Sequence, residues 1–247
     1  MSASRAIYMF HAIGSGEVLK GADPHYAFST SKFGELIHLL KGGVSLKRAL
    51  SVNTHQSILT FDDGHVSNFE AARILNEEFG STADFFINTS TIGTPNFLSW
   101  KQVKEMHSWG MSIQSHAHEH KYLSDLTRAD QLFQMKHCKE LIEDQLSDAV
   151  TIIAPPGGRY NQDTIELVQE LGYEHISISK PGRWAGESCS PRIPVYSHSQ
   201  AHILASCNNH LSPYLIKQLI KYHGTGWAKS IMGNKSYDLL RSKVLGA

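Results

Sequence analysis

The sequence predicts one α/β domain, built from βα units whose mostly parallel strands curl into a barrel-like sheet. Three observations carry that expectation. Short apolar, β-rich runs alternate with helical patterns along nearly the whole chain. The residues with chemical potential fall just after strands, where a parallel barrel presents its site. No linker, internal repeat or low-complexity tract divides the 247 residues, a length that can bury one large core.

Ala6–Phe10 is the first buried strand and ends at His11. Gly14–Phe28 is loop-like, punctuated by Gly, Asp-Pro and Ser/Thr. Ser31 is placed to cap a helix over Lys32–Leu40, with Phe33, Leu36, Ile37 and Leu40 on one face, closed by Gly42-Gly43. Ser45–Ser51 makes a further helical turn. Ser57–Phe61 is a buried strand that stops at Asp62-Asp63-Gly64. Ser67 or Asn68 caps a helix through Phe79, and Gly80 ends it. Thr82–Ile87 is the next strand, Trp100–Trp109 a helix with Gly110 as its C-cap, and Met111–Gln114 a short strand. A long amphipathic helix runs from Thr127 to Leu146. Val150–Ala154 is a strand, Pro155–Gly158 a rigid bend, and Asp163–Leu171 a helix stopped by Gly172. Glu174–Ser179 and the shorter Arg192–Val195 are the last strands. Beyond Ala201 the pattern weakens to two helices, Ser212–Tyr222 and Ser236–Val244, without an assigned role.

Composition narrows the function. Lys+Arg and Asp+Glu are both 23, which argues against a basic nucleic-acid footprint or a polybasic membrane patch and favours a neutral substrate. Cys138, Cys189 and Cys207 lack CxxC spacing, so neither a disulfide framework nor a cysteine zinc site is expected. No apolar run approaches the ~20 residues needed to span a bilayer. The stretch MSASRAIYMFHAIGSGE lacks a signal peptide's layout, so a soluble, cytoplasmic protein is the expectation.

Two clusters bear chemistry. Adjacent carboxylates at the tip of a buried strand repel unless a cation or a division of labour relieves them. Gly64 supplies the sharp exit that lets Asp62 and Asp63 face a cleft. His116-x-x-x-His120 is the second cluster, and on a helical turn its two imidazoles would share a face, with His118 pointing elsewhere. Joined to Asp63, they make a two-His, one-carboxylate set that leaves coordination positions open. A divalent ion there, Zn²⁺ first with Co²⁺, Mn²⁺ or Ni²⁺ as alternatives, would activate water and polarise a carbonyl, and Asp62 would serve as base.

Thr60-Phe61-Asp62-Asp63-Gly64, followed some fifty residues later by His116-x-x-x-His120, resembles the NodB-type polysaccharide deacetylases, carbohydrate esterase family 4. The resemblance spans about Ile7 to Val195. It includes Tyr8-Met9-Phe10-His11-Ala12-Ile13, Leu98-Ser99-Trp100 and Pro155–Asn161. It implies a distorted (β/α)7 barrel in a single domain over 1–247, with 201–247 a helical extension of unknown role. It also implies metal-dependent removal of acetyl groups from an N-acetylated sugar or glycan. By that likeness Asp62 is the base, and Asp63, His116 and His120 hold the metal. Pro156, Gly157 and Arg159 form a groove wall, with Tyr160 and a backbone N–H near the oxyanion. Trp184 is the candidate for the fourth motif's substrate-binding aromatic.

The chain departs from the family pattern in places. Ala117 stands where Ser or Thr usually buttresses the loop, and Lys121 replaces a Pro. Ala154 stands where an Arg usually orients the base, and the fifth motif's Leu-x-His is not evident. His11 and His198 are the candidates for the missing general acid. Deacylation of a non-sugar amide, or glycan binding by a degenerate relative, are the alternative functions. The oligomeric state is left open.

Overall fold

Apolar alternation becomes pleat. In the computed structural model, which describes residues 4–52, 54–209 and 212–232, nearly every apolar run read from the sequence forms a short strand. The elements are β1 (Arg5–Phe10), β2 (Ala12–Ile13), β3 (Ala27–Phe28), α1 (Thr30–Leu40), α2 (Leu46–Ser51), β4 (Ile58–Phe61), α3 (Asn68–Phe79), β5 (Asp84–Ile87), α4 (Trp100–Ser108) and β6 (Ser112–Ser115). They continue with α5 (Arg128–Leu146), β7 (Ile152–Ile153), α6 (Gln162–Glu170), β8 (His175–Ile178), β9 (Arg183–Trp184), β10 (Cys189–Pro191), β11 (Ile193–Pro194), α7 (Ala201–Ala205) and α8 (Pro213–Met232).

The main sheet runs β10-β8-β7-β6-β5-β4-β1-β11 with every pair in that path parallel, while β9 pairs antiparallel with the start of β1. Its two edge strands, β10 and β11, are consecutive in the chain and separated by the single residue Arg192. The edges therefore meet at one bent stretch, and the sheet curls into the nearly closed, distorted barrel of the NodB-like kind. The helical connections force parallel neighbours, and the right-handed twist of the strands curls the sheet.

Side chains leave the strands on alternate faces. Tyr8, Phe10, Leu59, Phe61, Phe85 and Ile87 pack outward beneath the helices, where Phe61 stacks on Phe10 and Phe85 at 5.1 and 4.7 Å. Ile7, Ile58, Phe86, Ile152, Ala154 and Trp184 form the second cluster, with Val44, Leu46 and Ala49. Asp62 continues the inward series Ile58, Thr60. A carboxylate buried among these side chains needs a buried partner.

Several local expectations shift. Ser29, not Ser31, caps α1, accepting from the Lys32 N–H. Ser67 precedes α3 without capping it; its hydroxyl instead accepts from the Ile13 N–H at 3.0 Å. Val150–Ala154 narrows to the two residues of β7. The helix α8 extends past the expected Tyr222, and Ser236–Val244 lies outside the described residues. Leu204, Cys207 and Leu215 join the core, and Tyr8 Oη donates to the Leu204 carbonyl, so the C-terminal segment closes the outer layer over β1.

Candidate metal centre

The site lies at the C-terminal ends of β1, β4, β6 and β11, the mouth of the barrel. Asp63 follows β4 with φ 75°, in the left-handed region, and Gly64 follows with φ 70°. A Cβ on Gly64 would lie 3.2 Å from Ile87 Cγ2, so this tight exit specifies glycine. Non-glycine residues in this region store strain, which here turns the Asp63 carboxylate toward the His loop.

His116 and His120 are not on a helical turn. They lie on an irregular loop after β6, with Ala117 buried at φ 63°, which brings the rings to 5.3 Å between centroids. The expected Ser/Thr buttress is replaced by other residues. Asn88 Nδ2 donates to the His116 and Ala117 carbonyls, and the Ser115 hydroxyl accepts from the Ala117 N–H. Buried Gln134 of α5 holds the far side: its carbonyl accepts from the His118 N–H, and its side chain bonds the Glu119 N–H and carboxylate. His118 turns away, its Nδ1 2.8 Å from Thr89 Oγ1.

His116 Nε2 and His120 Nε2 stand 3.2 and 3.3 Å from the same oxygen, Asp63 Oδ1. That oxygen is sealed from solvent, yet no N–H is directed at it with hydrogen-bond geometry. His116 Nδ1 lies 2.6 Å from the Ala154 carbonyl, which can only accept, so Nδ1 carries the proton. In neutral His116 the Nε2 lone pair then faces an anionic oxygen. Donors that converge without bonding one another are what a shared cation requires, and the three ligand atoms lie within 4.8 Å of one another. The residues fit a divalent ion. Burial pushes the Asp63 pKa up, but the facing imidazoles outweigh it and hold the carboxyl well below its usual range. For His120, burial lowers the pKa, yet Asp63 leaves it raised.

Asp62 is only 3 % exposed and is held by Arg192, whose Nη1 and Nη2 donate to Oδ1 and Oδ2 at 2.6 and 2.8 Å. Arg192 is fully buried, lies over the Phe86 ring at 5.3 Å and also reaches Thr60 Oγ1. Burial alone would raise the Asp62 pKa; Arg192, His116 and His11 together leave it lowered. The arginine absent at Ala154 thus arrives from the seam between β10 and β11. Sequence reading missed it because nothing local to Pro191-Arg192-Ile193 points to Asp62. Its one signal is an arginine inside an apolar strand pattern.

His11 joins the same centre. Its ring lies tilted against Tyr26 at 4.3 Å, its Nδ1 is sealed without a hydrogen-bond partner, and burial lowers its pKa against the opposing pull of Asp63 and Asp62. His198 is exposed and stacks on Tyr196 at 5.4 Å, so two further rings, Tyr196 and Tyr26, separate it from His11.

The Pro156–Tyr160 wall stands beside His120. A Cβ on Gly157 would lie 2.6 Å from Tyr122 Cε1, the Arg159 guanidinium covers the other part of that ring at 4.2 Å, and Tyr122 lies 6.5 Å from His120. Tyr122 is a wall residue the sequence reading did not single out. Tyr160 packs half-buried against the core, its phenol pKa raised by burial and by nearby Cys189 and Tyr222. No contact among the described residues joins it to the Asp/His set. Trp184 does not belong to this groove. It pairs with Arg5 at the start of β1, whereas Asp62 follows the residue paired with Phe10, about 17 Å along the strand. There it is buried under the Arg5 guanidinium and donates its indole N–H to the Glu187 carbonyl.

Comparisons with known proteins agree with this architecture. A family model described as polysaccharide deacetylase matches residues 51–176, just over half of the chain. The Bacillus subtilis protein described as putative polysaccharide deacetylase YxkH is 29% identical over 184 residues, 73% of this chain and 66% of that protein. The chain thus spans slightly less than two thirds of that relative's length. The Streptococcus pyogenes deacetylase PplD, solved in complex with acetate, matches with TM-score 0.77 and 26% identity over 85% of this chain and 100% of that one. IcaB from Ammonifex degensii shares the fold with TM-score 0.70 and 18% identity, over 83% of this chain and 97% of that one.

Proposed function

Because the chain belongs to the polysaccharide deacetylase family, we propose that it hydrolyses N-acetyl groups from an amino sugar or glycan, using a divalent ion held by Asp63, His116 and His120. One observation carries this reading: the sealed Asp63 Oδ1 on which two imidazole nitrogens converge without a hydrogen bond. The acetate seen with PplD is the product such a reaction releases.

When bound, the ion supplies Lewis acidity toward the acetamide carbonyl and toward water. Asp62, kept ionised by Arg192, accepts the proton from the attacking water. The bidentate clamp fixes the carboxylate plane and leaves its remaining lone pairs for that task. His11, at the end of β1 and electrostatically coupled to both aspartates, returns a proton to the departing amine. In the wall, the N–H groups of Gly158 and Arg159 close the turn onto Pro155 and Pro156. A backbone N–H of this wall, that of Gly157 or Tyr160, is the donor proposed for the oxyanion. Tyr122, Gly157 and Arg159 line the substrate side next to His120.

The binding-only alternative rests on a missing base-orienting arginine and on an unlocated general acid, and Arg192 on Asp62 speaks against the first of these. The test is metal content of the purified protein, wild type beside Asp63→Ala, together with acetate release from N-acetylglucosamine oligomers. About one ion per chain in the wild type, loss in the variant and acetate release are expected. A wild type that takes up no Zn²⁺, Co²⁺, Mn²⁺ or Ni²⁺ would overturn the mechanism. Release from simple amides but from no sugar would move the substrate to a non-sugar amide.

A further inference from the structure

The helix α8 carries two stripes. Leu215 and Gln218 are buried against the body, with Tyr214 and Leu219 packed beside them. On the other side Ile216 and Ile220 are 48% and 70% exposed, and Tyr222 is 38% exposed. At 3.6 residues per turn, positions 216 and 220 lie one turn apart on the same stripe, and both are isoleucine. Lys217 and Lys221 border it. The overall charge balance conceals an asymmetry: from Pro213 onward, Lys217, Lys221, Lys229, Lys235, Arg241 and Lys243 face one acid, Asp238.

An exposed isoleucine stripe needs an apolar partner, and the lysines need an anionic one. A second copy of the helix would set lysines against lysines across a two-fold contact. A bilayer with anionic headgroups satisfies both, burying the isoleucines at the acyl boundary and pairing the ammonium groups with phosphates. No described helix is long and apolar enough to cross a membrane, so such contact would be peripheral. We propose that α8 is an interfacial helix that docks the protein on an anionic lipid surface.

The placement of α8 gives docking a direction. Lys221 Nζ lies 5.6 Å from the Tyr196 ring, Tyr196 lies 5.3 Å from Tyr26, and Tyr26 lies 4.3 Å from His11. Docking through α8 sets the mouth of the barrel beside the bilayer. If the deacetylase reading holds, glycans presented at a membrane surface are the accessible substrates.

The test is co-sedimentation of the full chain with vesicles of phosphatidylcholine alone and of phosphatidylcholine with phosphatidylglycerol. Expected are binding to the anionic vesicles only, weakening with added salt, and a loss of at least about tenfold in Ile216→Asp/Ile220→Asp. The salt titration of the wild type needs no variant, and Lys217→Glu provides a milder second variant should the double one misfold. Absence of anionic binding, equal binding to neutral vesicles, or unchanged binding in both variants would overturn the proposal. So would a dimer in sedimentation velocity that the double substitution dissociates, which would make a second copy the occupant. Vesicle binding is read without turnover, so its failure leaves the deacetylase reading intact.

Discussion

Arg192 grips both carboxylate oxygens of Asp62, 130 residues earlier in the chain, and the pair is buried at the seam where the sheet's two edges meet. Breaking a buried pair from one side strands the other charge, whereas removing both partners does not. Arg192→Met is expected to cost about 3–5 kcal/mol of unfolding free energy, and Asp62→Leu/Arg192→Met less than that single change. Urea denaturation of the three proteins measures it. A double variant less stable than Arg192→Met would contradict the assignment.

Arg192→Lys keeps the charge but loses the planar fork. Acetate release is expected to fall while metal content stays near wild type, because Asp63, His116 and His120 are untouched. If the metal is lost along with activity, Arg192 supports the ligand set rather than the base.

Metal binding should stabilise the fold by mass action, since a preformed ligand set exists only in the folded chain. At a free Zn²⁺ concentration 100 times Kd, the gain is about 2.7 kcal/mol. Calorimetry should show Tm rising with Zn²⁺ in the wild type and not in His120→Ala. Equal shifts in both would place binding elsewhere.

Of the two candidate acids, His11 is the one that interacts electrostatically with Asp62, Asp63 and His116. His11→Gln is expected to lower kcat by about 10²-fold or more, the range typical of general acids, whereas His198→Gln leaves it unchanged. Steady-state rates on the same acetylated oligomer decide, and the reverse ranking would exchange the two roles.

Two buried groups pull stability in opposite directions with pH. Burial raises the Asp84 pKa from 3.8 to about 6, despite N–H bonds from Leu46 and Lys47 at the start of α2. Its folded form binds the proton more tightly, so its contribution is most favourable below its unfolded pKa and is lost as pH rises through about 6. Burial lowers His175 from 6.5 to about 4, so its contribution is intact above its unfolded pKa and lost as pH falls toward 4. Relative to wild type, Asp84→Asn should gain up to about 3 kcal/mol between pH 4 and 7, and His175→Gln should gain on going the other way. Denaturation profiles that run parallel to wild type across this range would show that neither group is linked to folding.

Much of this protein is set by short-range pattern. The strand before Asp62-Asp63-Gly64, the His116-x-x-x-His120 pair and the alternation of strands with helices need only neighbours in sequence, because pleat and helical period are local properties. The ligand set was legible because its chemistry sits in two tight motifs. Its geometry was not: a helical spacing between His116 and His120 is realised as a loop, since Asn88 and Gln134 satisfy its backbone from other elements. Trp184 matched a motif by residue type and lies at the far end of the barrel, because β9 returns antiparallel to the start of β1. Only closure of the sheet decided which arginine meets the base. Arg192 reaches Asp62 because parallel pairing through eight strands brings β11, which follows it directly, back beside β1 and so next to β4, a constraint carried by the whole barrel and by no segment of it.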